Sequence, residues 1–458
     1  MALGFADFAN DLTYEDLPAG VRATLRRSFV DTMGVAAIGS TTEISAITRR
    51  YANGMWRTAP NIGAARMLFD GRPVSPAGAA FAGAFTIDSI DAHDGYSACK
   101  GHAGSAVFPG VLATFDAQRA GGGAVDGRDL MVALAIAYEV SYRAGLTLHG
   151  TTSDYHTSGA WTAIGVATAA ARLLGLAPDQ IRHAAGIAEY HGPRSQMMRC
   201  IDHPTMVRDG VGWGAPTGVT AAHMAALGFT GAPAITAEGD AAAPWWADLG
   251  QRWEILETHY KPYPVCRWAH PAIDAVRALM DGHGLDSGDV ERVVIQTFHY
   301  ATRLAGQEPK TLDELTYAIA FPVAIMIVRG QIGVEELQPE TLRDPEILRV
   351  SRATKLVDSD HYTKISTRKR WADVTLHLSD GRALRSEPRF AKGDPDDPLS
   401  DAELSAKYDS LAVLVLGAER AGEIQSLGAA FDSLSASDLN RLLTLILSAT
   451  PRDQNGPV

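Results

Sequence analysis

Residues 18–40 read PAGVRATLRRSFVDTMGVAAIGS. Val21, Leu25, Phe29, Met33 and Ala36 recur every three or four positions, which places them on one face of a helix. Pro18 suits the start of that helix, where its missing N–H costs nothing. The same periodicity predicts helices over 129–145, 160–176, 178–187 and 219–227. Within the second, Ala163, Gly165, Ala167, Ala169, Ala170 and Ala171 are small, so helix backbones can approach closely. The expectation is a compact all-helical unit over about the first 260 residues.

The texture changes near residue 285. VERVVIQTF (290–298) and ADVTLHL (372–378) alternate apolar with polar and are rich in β-branched residues, as strands are. Asp380-Gly381 after the second reads as a hairpin turn. Between them, 312–328 and 334–342 look helical, giving a smaller α+β unit over roughly 270–395. GDPDDP (393–398) reads as a linker. Beyond it, Ser400 and Glu403 form a capping-box pattern. Leu404, Tyr408, Leu411 and Val415 make a helical stripe, and 438–447 forms a last helix, so the tail is expected to pack back on the first unit.

Composition limits function. The 458 residues are 46% hydrophobic and 21% charged, ordinary for a folded globular chain. A net charge of −12 is the opposite of a nucleic-acid footprint, so an anionic ligand needs its own local basic pocket. Cys99, Cys200 and Cys266 are widely spaced and odd in number, which fits a reduced compartment. No signal peptide or membrane span is read, so a cytoplasmic location is expected. Gly210, Gly212 and Ala215 loosely match a dinucleotide fingerprint, but the preceding HPTMVRD is no buried strand. Gly121 to Gly123 lack the lysine of a phosphate loop, and no His-Glu-x-x-His or Cys-x-x-Cys pattern occurs.

Three clusters could carry chemistry. DSIDAHDGYSACKGHAGSAVFP (88–109) sets Asp88, Asp91, His93, Asp94, Lys100 and His102 between two apolar runs. It reads as a cleft lining, as a solvated turn, or as a metal site using Asp91, His93 and Asp94. In HGTTSDYHTSGAW (149–161), His156 precedes an Ala-rich helix that Thr157 or Ser158 could cap. A helix N-terminus disfavours imidazolium, so this histidine reads as a neutral donor or base, or as a structural residue. Arg194, Arg199 and Arg208, with Lys261 and Arg267 in HYKPYPVCRWAHP (259–271), suggest carboxylate recognition or ordinary surface cations. The prolines keep the Lys261 segment out of helix.

Taken in order, YEDLP with FVDTMGVAAIGS, the Asp88–Ser105 run, AYEVSYRAG, His156 before its helix, MAALGFTG, YKPYPVCRWAHPAIDA and AKYDSLA resemble the MmgE/PrpD family over nearly the whole chain. That family includes 2-methylcitrate dehydratase, cis-aconitate decarboxylase and iminodisuccinate epimerase. The resemblance implies an α plus smaller α+β fold: a helical domain built from both chain ends (1–268 and 396–458) and an α+β lid domain (269–395). It also implies a homodimer, a cleft between the domains, no organic cofactor and no metal.

By position, Asp88, His102, His156 and Lys261 match the family's functional residues, and Arg208 falls near a frequent lysine. The family's threonine, proline and tyrosine are read at Ala92, Ala103 and Phe321. All three chemistries start beside a carboxylate, where a base and fixed positive donors are needed. His102 and Lys261 are expected to move protons and Asp88 to orient an imidazole; Tyr142 reads as a helix tyrosine half in the core or as an additional acid or base. His156, Arg208, Lys100 and Arg267 are expected to bind a small carboxylate substrate. With two hydroxyls missing, the expected activity is a cofactor-independent epimerase acting on an imino dicarboxylate such as iminodisuccinate. The alternatives are a 2-methylcitrate-type dehydratase or cis-aconitate-type decarboxylase, and a non-catalytic carboxylate-binding protein; neither nucleic acid nor membrane is an expected partner.

Overall fold

The computed structural model describes residues 4–58 and 63–451; the outermost residues of the expected helical domain, 1–3 and 452–458, lie outside them. The helix begun at Pro18 spans Ala19–Gly39, and its apolar stripe is buried. In its second half Asp31, Thr32 and Gly34 are buried too, as befits a helix enclosed on all sides. Around it stand Pro76–Asp88, Gly104–Ala120, Gly127–Thr151, Gly159–Leu173, Pro178–His191 and Val211–Ala226. The last begins eight residues before the expected start at 219, because its glycines serve close packing and do not break it. A Cβ at Gly218 would lie 2.7 Å from both the Ala163 carbonyl and the Val166 side chain.

The second unit is a mixed sheet. Val290–Thr297 lies between Thr354–Asp358, parallel to it, and Trp371–Leu378, antiparallel to it. Trp371–Leu378 continues through the expected turn into Ala383–Arg385, where Gly381 takes φ 88° and Leu378 donates to the Arg382 carbonyl. Helices His270–His283 and Ala320–Arg329 share the apolar cluster of Val293, Ile295, Val374 and Leu376. The tail helices Asp401–Leu416 and Ala436–Ile446 instead bury Tyr408, Leu411, Leu442 and Ile446 in the core of the N-terminal helices.

Two expected helices differ. The 312–328 run divides into Leu312–Thr316 and Ala320–Arg329, because the Ile319 and Ala320 amides donate to the Leu304 and Ala305 carbonyls. Over 334–342 there is no α-helix: Glu336 folds back onto the Gly333 amide at 2.7 Å, and the helix forms later, at Pro345–Arg352, capped by Asp344. Among the described residues no helix is long and apolar enough to cross a membrane.

Candidate active site

The loop 89–103 joins Pro76–Asp88 to Gly104–Ala120 and runs through the interior. Buried carbonyls need donors, and here four basic side chains from separate parts of the chain supply them. Arg208 donates to the Ser89 carbonyl, Lys261 to Asp91 at 2.9 Å, Lys407 to Ala92 at 2.7 Å and Arg370 to Ser97 at 2.9 Å. Gly95 and His259 exchange backbone hydrogen bonds. Asp91, Lys100 and Arg208 have φ values of 52°, 56° and 51°, a region costly for residues with a Cβ. Phe69 is the one other such non-glycine among the described residues, so backbone strain concentrates at this loop and its contacts.

A small cavity of about 40 Å³ lies beside the loop, lined among others by Lys100, His102, Tyr155, His259, Arg267, Tyr317 and Arg370. The His102 Nδ1 lies 2.7 Å from the Asp94 carbonyl, which can only accept, so Nδ1 carries the proton and Nε2 keeps a lone pair. Burial, with Lys261 and His93 nearby, holds this imidazole well below the usual histidine range. His102 is therefore neutral and able to take a proton. Lys261 is fully buried, with its ammonium 2.5 Å from Asp91 Oδ1. Asp88 does orient an imidazole, but it is that of His93, at 2.8 Å; the His93 ring stands edge-on to His102, 4.5 Å away.

The other expected residues divide. Lys100 and Arg267 line the cavity, although Arg267 is paired to Asp394 at 2.7 Å. Arg208 is buried behind Tyr317, bonded to Thr316 and 3.4 Å from Asp313, and does not line the cavity. His156 is also off the cavity wall, which its neighbour Tyr155 forms. Tyr142 is fully buried, its hydroxyl 3.1 Å from Thr258 Oγ1 and turned from the cavity into an aromatic cluster with Tyr96, Tyr138 and Trp161. Ser158 stands at the N-cap of Gly159–Leu173, yet its hydroxyl serves Asp209 and the His102 amide instead of the helix.

Sequence reasoning missed several groups. His259 lines the cavity with its buried Nε2 unpartnered and its Nδ1 3.5 Å from Asp394. The signal was its place two residues before Lys261 in an extended segment, where alternate side chains share a side. Asp394 belongs to the expected linker, which instead pairs with the Tyr260–Arg267 stretch. Burial, helped by Asp88, pushes the Asp209 carboxyl up to about 8, against hydrogen bonds from Ser158. Tyr317 lines the cavity just before Ala320–Arg329, the place where a phenol was sought at Phe321, which is itself fully buried in the second core. A hydroxyl is thus present.

Asp91, His93 and His102 are the one described group close enough to share an ion. The expected third ligand, Asp94, instead faces the Tyr138 hydroxyl at 2.5 Å and the Gly104 amide. Asp91 already holds the Lys261 ammonium, so the positive charge at this point is a side chain of the protein itself.

Comparisons with known proteins agree with this architecture. The chain is 23% identical to the cis-aconitate decarboxylase-like protein oryM of Aspergillus oryzae, over 96% of both chains. It is 22% identical to the cis-aconitate decarboxylase of Aspergillus terreus, covering 96% of this chain and 94% of the relative. The Homo sapiens cis-aconitate decarboxylase is also 22% identical, covering 98% and 94%. Residues 4–248 match the MmgE/PrpD N-terminal domain and residues 263–433 the MmgE/PrpD C-terminal domain. With both halves of the fold matched in order, this chain belongs to the MmgE/PrpD family.

Proposed function

We propose that this protein is a lyase of the cis-aconitate decarboxylase type, acting without a cofactor on a small polycarboxylate. The observation that carries the reading is the neutral His102 on the wall of a cavity that Asp91, Lys100 and Arg267 also line, with the buried Lys261 ammonium held against Asp91 and off that wall. Loss of carbon dioxide leaves an electron pair on the carbon it departs, and that charge spreads onto a neighbouring carboxylate. Fixed cations stabilise it there, and a proton donor completes the product. Tyr317 on the cavity wall is the donor, Lys261 adds its charge from behind Asp91, and His102 moves the proton on or off carbon. The test is incubation with cis-aconitate, following carbon dioxide release and the product by NMR. Turnover of 2-methylcitrate to an alkene without carbon dioxide would make it a dehydratase, and saturable binding with no reaction a carboxylate-binding protein.

An epimerase is the second reading. His102 and His259 stand 6.5 Å apart between ring centroids, and burial holds both well below the usual histidine range. One neutral imidazole can remove the proton on one face, and the other, after taking a proton from solvent, can return it on the opposite face. Conversion of one iminodisuccinate stereoisomer in D2O, with deuterium at the inverted carbon and no carbon dioxide, would favour it over the lyase.

A further inference from the structure

We infer that Arg370 is a specificity-determining residue that grips a second carboxylate of the substrate, so that the site selects dianions over monoanions. The inference rests on the carboxylate-binding reading above and names what that reading leaves open.

Arg370 follows the turn after helix Asp360–Ile365, at the end of the basic run Arg368-Lys369-Arg370. In the fold its side chain is buried, 6% exposed, and lines the cavity. Its hydrogen bonds go to backbone carbonyls alone: Ser366, Thr367 and Lys369 from Nη1, and Ser97 on the opposite rim from Nη2. No acid lies within ion-pair distance of it among the described residues; Asp394, whose charge reaches it, is already bound by Arg267.

A buried cation without a counter-ion is costly, and a guanidinium has five N–H donors in a fixed fork. The carbonyls leave Nε–H and one Nη2–H without an acceptor, which matches the two oxygens of a carboxylate. Lys100 faces the same cavity, half-buried and with no acid partner among the described residues, above the Tyr155 ring. Two unneutralised cations on one small cavity call for a ligand with two negative charges. The Arg370 turn comes from the sheet domain and the Ser97 carbonyl from the helical domain, so the clamp also joins the two walls.

Isothermal titration of the full-length protein with glutarate and with its monomethyl ester tests this. Wild type is expected to bind the diacid at least tenfold more tightly than the ester. Arg370→Gln should lose about 10- to 100-fold in diacid affinity with ester affinity unchanged, the scale of a charge-assisted bidentate contact. Arg370→Lys, which keeps the charge without the fork, should recover part of the loss. Equal diacid affinity in wild type and Arg370→Gln would overturn the assignment and leave the carboxylate reading intact. A wild type that binds no diacid would overturn both. A merely structural role for Arg370 would weaken both ligands alike, and that outcome also refutes the inference.

Discussion

Gly95 shows how tightly the two cavity imidazoles are set. A Cβ there would lie 2.6 Å from His102 Nδ1 and 2.7 Å from His259 Nε2, so a methyl group must push both imidazoles aside. Gly95→Ala is expected to lower turnover about 100-fold, the scale of an ångström-sized misplacement, with overpacking costing about 1–3 kcal/mol of stability. Steady-state kinetics with a chemical denaturation curve separates the two effects. Lys261 makes a sharper case. Lys261→Met leaves Asp91 buried and unpaired, which costs about 3–5 kcal/mol. Adding Asp91→Asn should restore most of that stability while turnover stays down by about 100-fold or more. If the double variant regained activity as well, Lys261 would be only a structural counter-ion. His102 and Lys100 were legible as cavity-lining residues because a dense polar run between apolar ones marks a cleft, whereas Lys261 lies behind the wall, against Asp91. For Tyr142 the structure favours the core reading over the acid/base one, a choice nothing local decides, because the sequence does not say which way a tyrosine on an enclosed helix turns.

At the scale of elements, periodicity revealed what depends on near neighbours. Ala19–Gly39 followed from spacing, and the Trp371–Leu378 hairpin from its alternation and the Asp380-Gly381 turn. The break at 317–319 did not, because its hydrogen-bond acceptors are carbonyls of Leu304 and Ala305, a contact that exists only once the chain is folded. That break places Tyr317 on the cavity wall, so the missed phenol and the missed break are one event. The tail helix Asp401–Leu416 acts on the site in a similar way. Its Lys407 reaches 2.7 Å to Asp31 and 2.7 Å to the Ala92 carbonyl, tying the far end of the chain to the loop. Lys407→Met should cost about 3 kcal/mol through the buried, unpaired Asp31. It should also lower turnover in the fraction still folded, although Lys407 lines no part of the cavity. Activity per folded molecule, measured below the unfolding transition, checks this; an unchanged value would reduce the helix to a pure buttress.

Across the whole molecule, Asp209, Glu139 and Asp94 are carboxyls buried where water reaches poorly. This makes stability depend on pH in a direction opposite to that of an ordinary paired carboxylate. Burial, with Asp88 beside it, raises Asp209 to about 8 from its ordinary 3.8. Burial likewise raises Glu139 to about 7 and Asp94 to about 6. Between the unfolded and folded values the native state holds protons that the unfolded chain has released. Stability therefore falls as pH rises through that window, by up to about 1.4 kcal/mol per pH unit for each such group. For Asp209 the decline runs from about pH 4 to about pH 8 and is complete above it. Asp209→Asn keeps a side chain able to bond Ser158 but cannot ionise. Its stability relative to wild type should rise steadily when both are unfolded by denaturant at pH 5, 6, 7 and 8. Glu139 and Asp94 titrate in both proteins and cancel from the comparison. A difference that stays constant over this range would mean that Asp209 is ionised in the folded protein, and that the Asp88–Asp209 pair beneath the site holds two charges and no proton.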